Sequence, residues 1–159
     1  MKTRILMSLL FLLMLVEIIP LQAQNDTEFK HALGVAAGFT TGYGLSYRFF
    51  PTKFGAQVTF APYVDNEREI FSIGFTFLYT IVKAENLNLY LYQGNQYYYN
   101  KKKLSNPLEV NEYFNNGIGM GIEFTFQKRF GFNVMGGYAG YENFNKINFT
   151  GETALFFKF

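Results

Sequence analysis

The chain has 159 residues, a length that fits one domain. Hydrophobic residues make up 49% and charged residues only 16%, against about 25% in an average soluble domain, which excludes a disordered chain. A formal net charge of +2 is far below the basic excess of a nucleic-acid binder, and the absence of Cys excludes disulfides, thiolate metal sites, a cysteine nucleophile and a lipid-modified cysteine behind a leader. Aromatic residues reach 20%, as 20 Phe and 12 Tyr with no Trp, beside 15 Gly, a mixture that favours strands and turns.

The first 23 residues read as a secretory signal. Lys2 and Arg4 form a positive start, and Ile5 to Val16 is a 12-residue apolar run ended by Glu17. A membrane-spanning helix needs about 20 such residues. The small residue Ala23 marks the expected cleavage edge before Gln24, which leaves 24–159 as the mature domain. Removing Lys2, Arg4 and Glu17 leaves 12 Lys and Arg against 11 Asp and Glu, a net charge of about +1. No later run of 18 apolar residues occurs, so any insertion into a membrane must use strands.

From His31 onward the chain alternates large and small residues with period two. Leu33, Val35, Ala37 and Phe39 oppose Ala32, Gly34, Ala36 and Gly38, which predicts a first strand. Thr40-Thr41-Gly42 is its turn, and a second strand sets Tyr43, Leu45, Tyr47 and Phe49 against Gly44, Ser46 and Arg48. Pro51-Thr52-Lys53 closes it, and Phe54, Ala56, Val58 and Phe60 begin the third. Asp65 to Glu69 reads as a polar loop, Phe71 to Ile81 as the fourth strand, Lys83 to Asn86 as a turn and Leu87 to Tyr92 as the fifth strand. Gln93 to Asn116 is the longest and most irregular connection. Ile118 to Phe126 forms the sixth strand, Gln127-Lys128-Arg129 its turn and Phe130 to Tyr138 the seventh. A loop from Ala139 to Asn148 leads to a final strand containing Thr153, Leu155, Phe157 and Phe159.

Eight strands, an even number, suit a closed antiparallel barrel. A soluble barrel buries its large apolar face and coats the other with charge. Here the alternate positions are Gly, Ala, Ser, Thr, Asn and Gln, including 10 of the 15 glycines. Such a face suits a crowded lumen, and the Leu, Val, Ile and Phe face then points to lipid. The turns after strands two, four and six are short and the connections after three, five and seven longer, the asymmetry of periplasmic turns and external loops, which puts both termini in the periplasm.

On these features the chain resembles the small eight-stranded outer-membrane barrels of the OmpA/OmpX type, and the short outer-membrane β-barrel proteins of Bacteroidetes-like bacteria. The resemblance spans 24–159, and its most specific element is TALFFKF at the end. There Leu155, Phe157 and Phe159 are similar to the signal that this family presents to the barrel-assembly machinery. The fold class it implies is all-β, an eight-stranded antiparallel up-and-down transmembrane barrel. It implies envelope structure or adhesion more than any one activity.

The only charges on the predicted lumen face of the strands are Arg48, Glu123, Glu152 and Lys158, two of each sign. An unpaired charge there costs several kcal/mol, so a salt-bridged plug is expected, with Arg48, Glu123 and Lys158 near one end and Glu152 nearer the middle. A narrow ion or solute channel through this layer is the alternative. His31, the one histidine, falls at the wrong end for a catalytic triad at the outer rim, and no phosphate loop, metal-ligand cluster or cofactor motif occurs. No enzyme activity and no cofactor are expected. In the long connection, Tyr97, Tyr98 and Tyr99 precede Lys101, Lys102 and Lys103, and the pattern predicts strands five and six continuing past the membrane as a hairpin with its tip near Lys101 to Asn106. Its tyrosines and lysines are candidates for surface interaction, or for an interfacial belt with lysines neutralising lipopolysaccharide phosphates. Expected partners are outer-membrane lipid, lipopolysaccharide and the assembly machinery, with no nucleic acid, and the barrel is expected to be a monomer.

Overall fold

The computed structural model describes residues 29–104 and 109–159. The expected leader with its Ala23 edge, and the hairpin-tip residues 105–108, lie outside the described residues. Eight strands follow one another: β1 (His31–Gly38), β2 (Gly42–Phe49), β3 (Phe54–Val64), β4 (Arg68–Lys83), β5 (Leu87–Lys102), β6 (Glu109–Phe126), β7 (Phe130–Tyr141) and β8 (Lys146–Lys158). Each pairs antiparallel with the next, and β8 pairs with β1 to close the barrel. The seam runs from Ala32 opposite Lys158 to Gly38 opposite Glu152, and His31 and Phe159 extend it by exchanging two backbone hydrogen bonds.

The period-two alternation fixes which face each residue takes, because successive side chains of a strand point to opposite sides. Leu33, Val35, Leu45, Phe75, Phe77, Ile118, Phe124 and Leu155 are exposed around the outside. Gln57, Thr59, Ser72, Thr76 and Asn133 are fully buried inside. This is a polar interior inside an apolar coat, the inverse of a water-soluble barrel. Inside, Leu78, Tyr90, Tyr92 and Met135 form one apolar cluster, and Ala32, Ala36, Ala154 and Phe156 a second.

Aromatic residues gather near the short-turn end of the coat. His31 stacks on Phe49 at 4.9 Å and on Phe159 at 5.9 Å and is hydrogen-bonded to Tyr47, while Phe54 packs on Tyr79 and Phe130 on Phe157. Such a ring is the expected girdle at a membrane interface.

Where the connections differ from the sequence reading, they do so in one consistent way. The polar loop expected over Asp65 to Glu69 is only 65–67, because Arg68 and Glu69 begin β4. The stretch Gln93 to Asn116 is, as the hairpin reading of its pattern expected, strand up to Lys102 and again from Glu109, paired from Gly94 opposite Gly117 to Lys102 opposite Glu109. The loop expected over Ala139 to Asn148 shrinks to 142–145, where Glu142, Asn143 and Phe144 take left-handed backbone angles. Cross-strand pairing overrides the weak local polarity of these segments, since each added strand residue satisfies backbone groups that a loop would leave to water.

Small residues at the seam are a packing requirement. A Cβ on Gly34 would collide with the backbone carbonyl of Leu155 on β8. Replacing Gly34 by Val should therefore prevent β8 from seating on β1. The expected result is loss of the heat-dependent gel mobility shift of a closed barrel, whereas Val35→Ala on the lipid face should retain it.

Candidate functional site

Three of the four predicted lumen charges meet in one layer. Arg48 on β2 and Glu123 on β6 lie on opposite walls, and Arg48 Nη1 is 2.6 Å from Glu123 Oε2 with both side chains buried. Lys158 Nζ on β8 is 2.6 Å from Glu123 Oε1 and donates to Thr125 Oγ1. One carboxylate thus bridges two cations across the barrel. Gln57 on β3, inward by the same alternation, accepts from Arg48 Nε at 3.0 Å and Nη2 at 2.6 Å. The guanidinium lies 4.1 Å above the Phe156 ring, close enough for a cation–π contact. Ionic, amide and aromatic groups together satisfy a cation that hydrocarbon surroundings would otherwise expel.

Glu152 does not belong to this layer, which corrects the expected four-member plug. It stands opposite Gly38, the last residue of β1, at the end of the barrel away from Lys158. Its carboxylate accepts from the hydroxyls of Thr40 and Thr41, from the Thr41 backbone N–H at 3.0 Å and from Thr150 Oγ1 at 3.3 Å. Hydroxyls and an amide take the place of a cation. Alternation gave Glu152 its inward direction, and the stagger of tilted strands set its height. Thr40 and Thr41 were legible only as turn residues.

The long-hairpin end is asymmetric. Pairing of β2 with β3 stops at Leu45 opposite Phe60, and pairing of β6 with β7 stops at Asn116 opposite Gly140. Beyond these points β3 to β6 continue as a four-stranded sheet, held at β6 by the β7–β8 turn through Asn143 and Phe114. Its members separate the three tyrosines by parity. Tyr98 faces inward, stacked on Tyr113 at 4.8 Å and 6.3 Å from Tyr43. Tyr97 points the other way and donates to Glu112 Oε2 at 3.0 Å, and Tyr99 pairs opposite Phe71 on the outward side.

The lysines are dispersed rather than clustered. Lys102 Nζ is 2.5 Å from Glu109, Lys103 Nζ donates to the Asp65 carbonyl at 2.9 Å, and Lys101 is in register with Glu69. Lys103 also donates its backbone N–H to Glu67 O, so the β3–β4 tip is fastened to the β5 end. Asp65 organises that tip: its carboxylate accepts from the Arg68 N–H at 2.5 Å, the Tyr63 hydroxyl at 2.9 Å and the Glu67 N–H at 2.7 Å. These bonds, the backbone one to Arg68 first, hold its pKa below the ordinary 3.8.

Among the described residues no group of His, Asp and Glu could hold a metal ion. Leu155, Phe157 and Phe159 all face outward along β8, with Phe159 on His31 at the seam.

No family model and no curated protein matches the sequence. Solved structures do. The N-terminal β-barrel domain of Pseudomonas aeruginosa OprF matches with a TM-score of 0.59 and 17% identity, covering 81% of this chain and 95% of that one. The chain has the fold of the small eight-stranded outer-membrane β-barrels. Neisserial surface protein A matches with a TM-score of 0.53 and 13% identity, over 81% of this chain and 94% of that one. Ail, the attachment invasion locus protein of Yersinia pestis, matches with a TM-score of 0.50 and 18% identity, over 81% and 96%.

Two outcomes follow. Glu123→Ala leaves Arg48 and Lys158 facing each other without an anion and should cost about 3–5 kcal/mol. Lys158→Ala, which leaves the Arg48–Glu123 pair intact, should cost far less; with no Trp present, the gel mobility shift measured against urea in lipid vesicles compares the two. For Asp65, a depressed folded-state pKa means that its contribution is present above 3.8 and is lost as pH falls through the depressed value. Hydrogen-exchange protection of the Glu67 and Arg68 amides should hold from neutrality to about pH 5 and fall in stronger acid, and Asp65→Asn should lower it at neutral pH.

Proposed function

We propose that this protein is an exported, monomeric outer-membrane barrel with a filled lumen. It serves envelope structure and meets partners at the cell surface through the β3–β6 sheet. The observation that carries the surface role is that projecting sheet. Its strands run to 16 residues in β4 and β5 and 18 in β6, where crossing a bilayer takes about 9–11. Cross-strand pairs and the Asp65 and Lys103 bonds make it a stiff platform rather than a loose loop, and a preorganised surface loses less entropy on binding.

Tyr98, with Tyr43 and Tyr113, lines the inner side of this platform, while Tyr97 and Tyr99 lie on its outer side. Lys102 and Lys103 already have protein partners, which favours sheet stiffening over capture of lipopolysaccharide phosphates as their main task. Lipid is met by the apolar coat. The outward row Leu155, Phe157 and Phe159 on the closing strand is the segment we assign to the assembly machinery. The buried ion-paired layer of Arg48, Glu123 and Lys158 weighs against a constitutively open channel.

Replacing 97–114 by an Asn-Gly turn shortens β5 and β6 to the height of their neighbours. The barrel should still show its heat-dependent mobility shift and fractionate with the outer membrane, while adhesion of producing cells to their surfaces falls to the level of a deletion strain. Unchanged adhesion would remove the surface role. Recovery of the unaltered protein in a soluble fraction would remove the membrane reading itself.

A further inference from the structure

The β1–β2 connection does not rise from the barrel; it folds into it. Thr40 and Thr41, at 0% and 1% exposure, are among the most buried residues of the chain although they form a turn. Turns ordinarily lie at the surface because their backbone groups need water. Here those groups are received by the walls. Glu152 takes the Thr41 N–H and both threonine hydroxyls, and Asn115 Nδ2 donates to the Phe39 carbonyl at 3.0 Å.

Space for the turn is made by glycines on three other strands. A Cβ on Gly74 of β4 would strike the Thr41 carbonyl, and one on Gly94 of β5 or Gly117 of β6 would come within 2.8 Å of Thr40 atoms. The bend itself uses left-handed glycines, Gly42 at φ 82° and Gly44 at φ 120°. It carries β2 away from β3, so that Tyr43, which alternation alone would send to lipid, lies against Tyr98.

We infer that the turn 39–41 is an outer lid on the lumen, latched by Glu152, and that it seals the barrel in series with the Arg48–Glu123–Lys158 layer. The two closures share no residue. The lid is held by hydrogen bonds to one carboxylate, and the inner layer by ion pairs. Removing either alone leaves the other across the lumen, with the apolar layer of Leu78, Tyr90, Tyr92 and Met135 between them. The inference rests on the barrel crossing a membrane, which the heat-dependent mobility shift tests separately for every variant.

The experiment compares four forms of the refolded protein in planar lipid bilayers, each also carrying Tyr90→Ala and Tyr92→Ala to open the apolar layer between the closures: otherwise unaltered, Arg48→Ala/Glu123→Ala, Thr41→Ala/Glu152→Ala, and these four substitutions together. Conductance is expected only from the last. Steps of equal size from either two-site variant would overturn closure in series. Lid opening is read independently in this cysteine-free chain by Ala36→Cys, on the lumen face of β1 below the turn, and a membrane-impermeant maleimide. Labelling should be slow in the otherwise unaltered protein and faster by about tenfold or more with the isosteric Glu152→Gln, as expected when a charge-assisted acceptor is lost. Equal labelling rates in the two backgrounds, with both proteins showing the barrel mobility shift, would overturn the latch.

Discussion

Closure of β8 onto β1 is the constraint on which the rest of the structure depends. In hydrocarbon a backbone N–H or C=O without a partner costs several kcal/mol, and only a sheet with no edge leaves none. Eight strands give the narrowest such cylinder that side chains can fill. The seam from Ala32–Lys158 to Gly38–Glu152 therefore determines both the apolar coat and the crowded interior. Gly34 is the local expression of that demand, since its neighbour across the seam is a backbone carbonyl rather than a side chain.

A lumen this narrow can hold polar groups only if they satisfy one another. The interior meets that condition twice by different chemistry. At the short-turn end, Glu123 is shared between Arg48 and Lys158, with Gln57 and the Phe156 ring completing the guanidinium's surroundings. At the other end, Glu152 has hydroxyl and amide donors in place of a cation. Between them lie Leu78, Tyr90, Tyr92 and Met135, an apolar layer that separates the two polar ones.

Above the barrel the balance changes, because water can satisfy an edge. Four strands outrun their neighbours there, and their edges are managed rather than abolished. Pro62 on β3 lacks a donor, and Asn143 pairs with both backbone groups of Phe114 on β6. The same hairpins that carry Tyr98 and Tyr113 also wall the space above the Thr40–Thr41 turn. The projecting sheet and the turn thus meet through Tyr43.

The sequence by itself determined the strand count, the face of nearly every strand residue, the short turns and the side of the wall on which Arg48, Glu123, Glu152 and Lys158 lie. All of these follow from the two-residue period and from turn chemistry, which are local. Arg48 and Glu123 could be grouped because each sits near a strand end marked by a short turn, and Lys158 joins them at the end of the last strand. Only the tertiary structure decided the height of Glu152, the inward fold of Thr40 and Thr41, the reversal of Tyr43 and the dispersal of Lys101 to Lys103. Each depends on stagger between strands distant in sequence, and on glycines of β4, β5 and β6 whose purpose is visible only from across the lumen. Alternation specifies a direction; closure with tilt specifies a height, and these residues meet their partners by height.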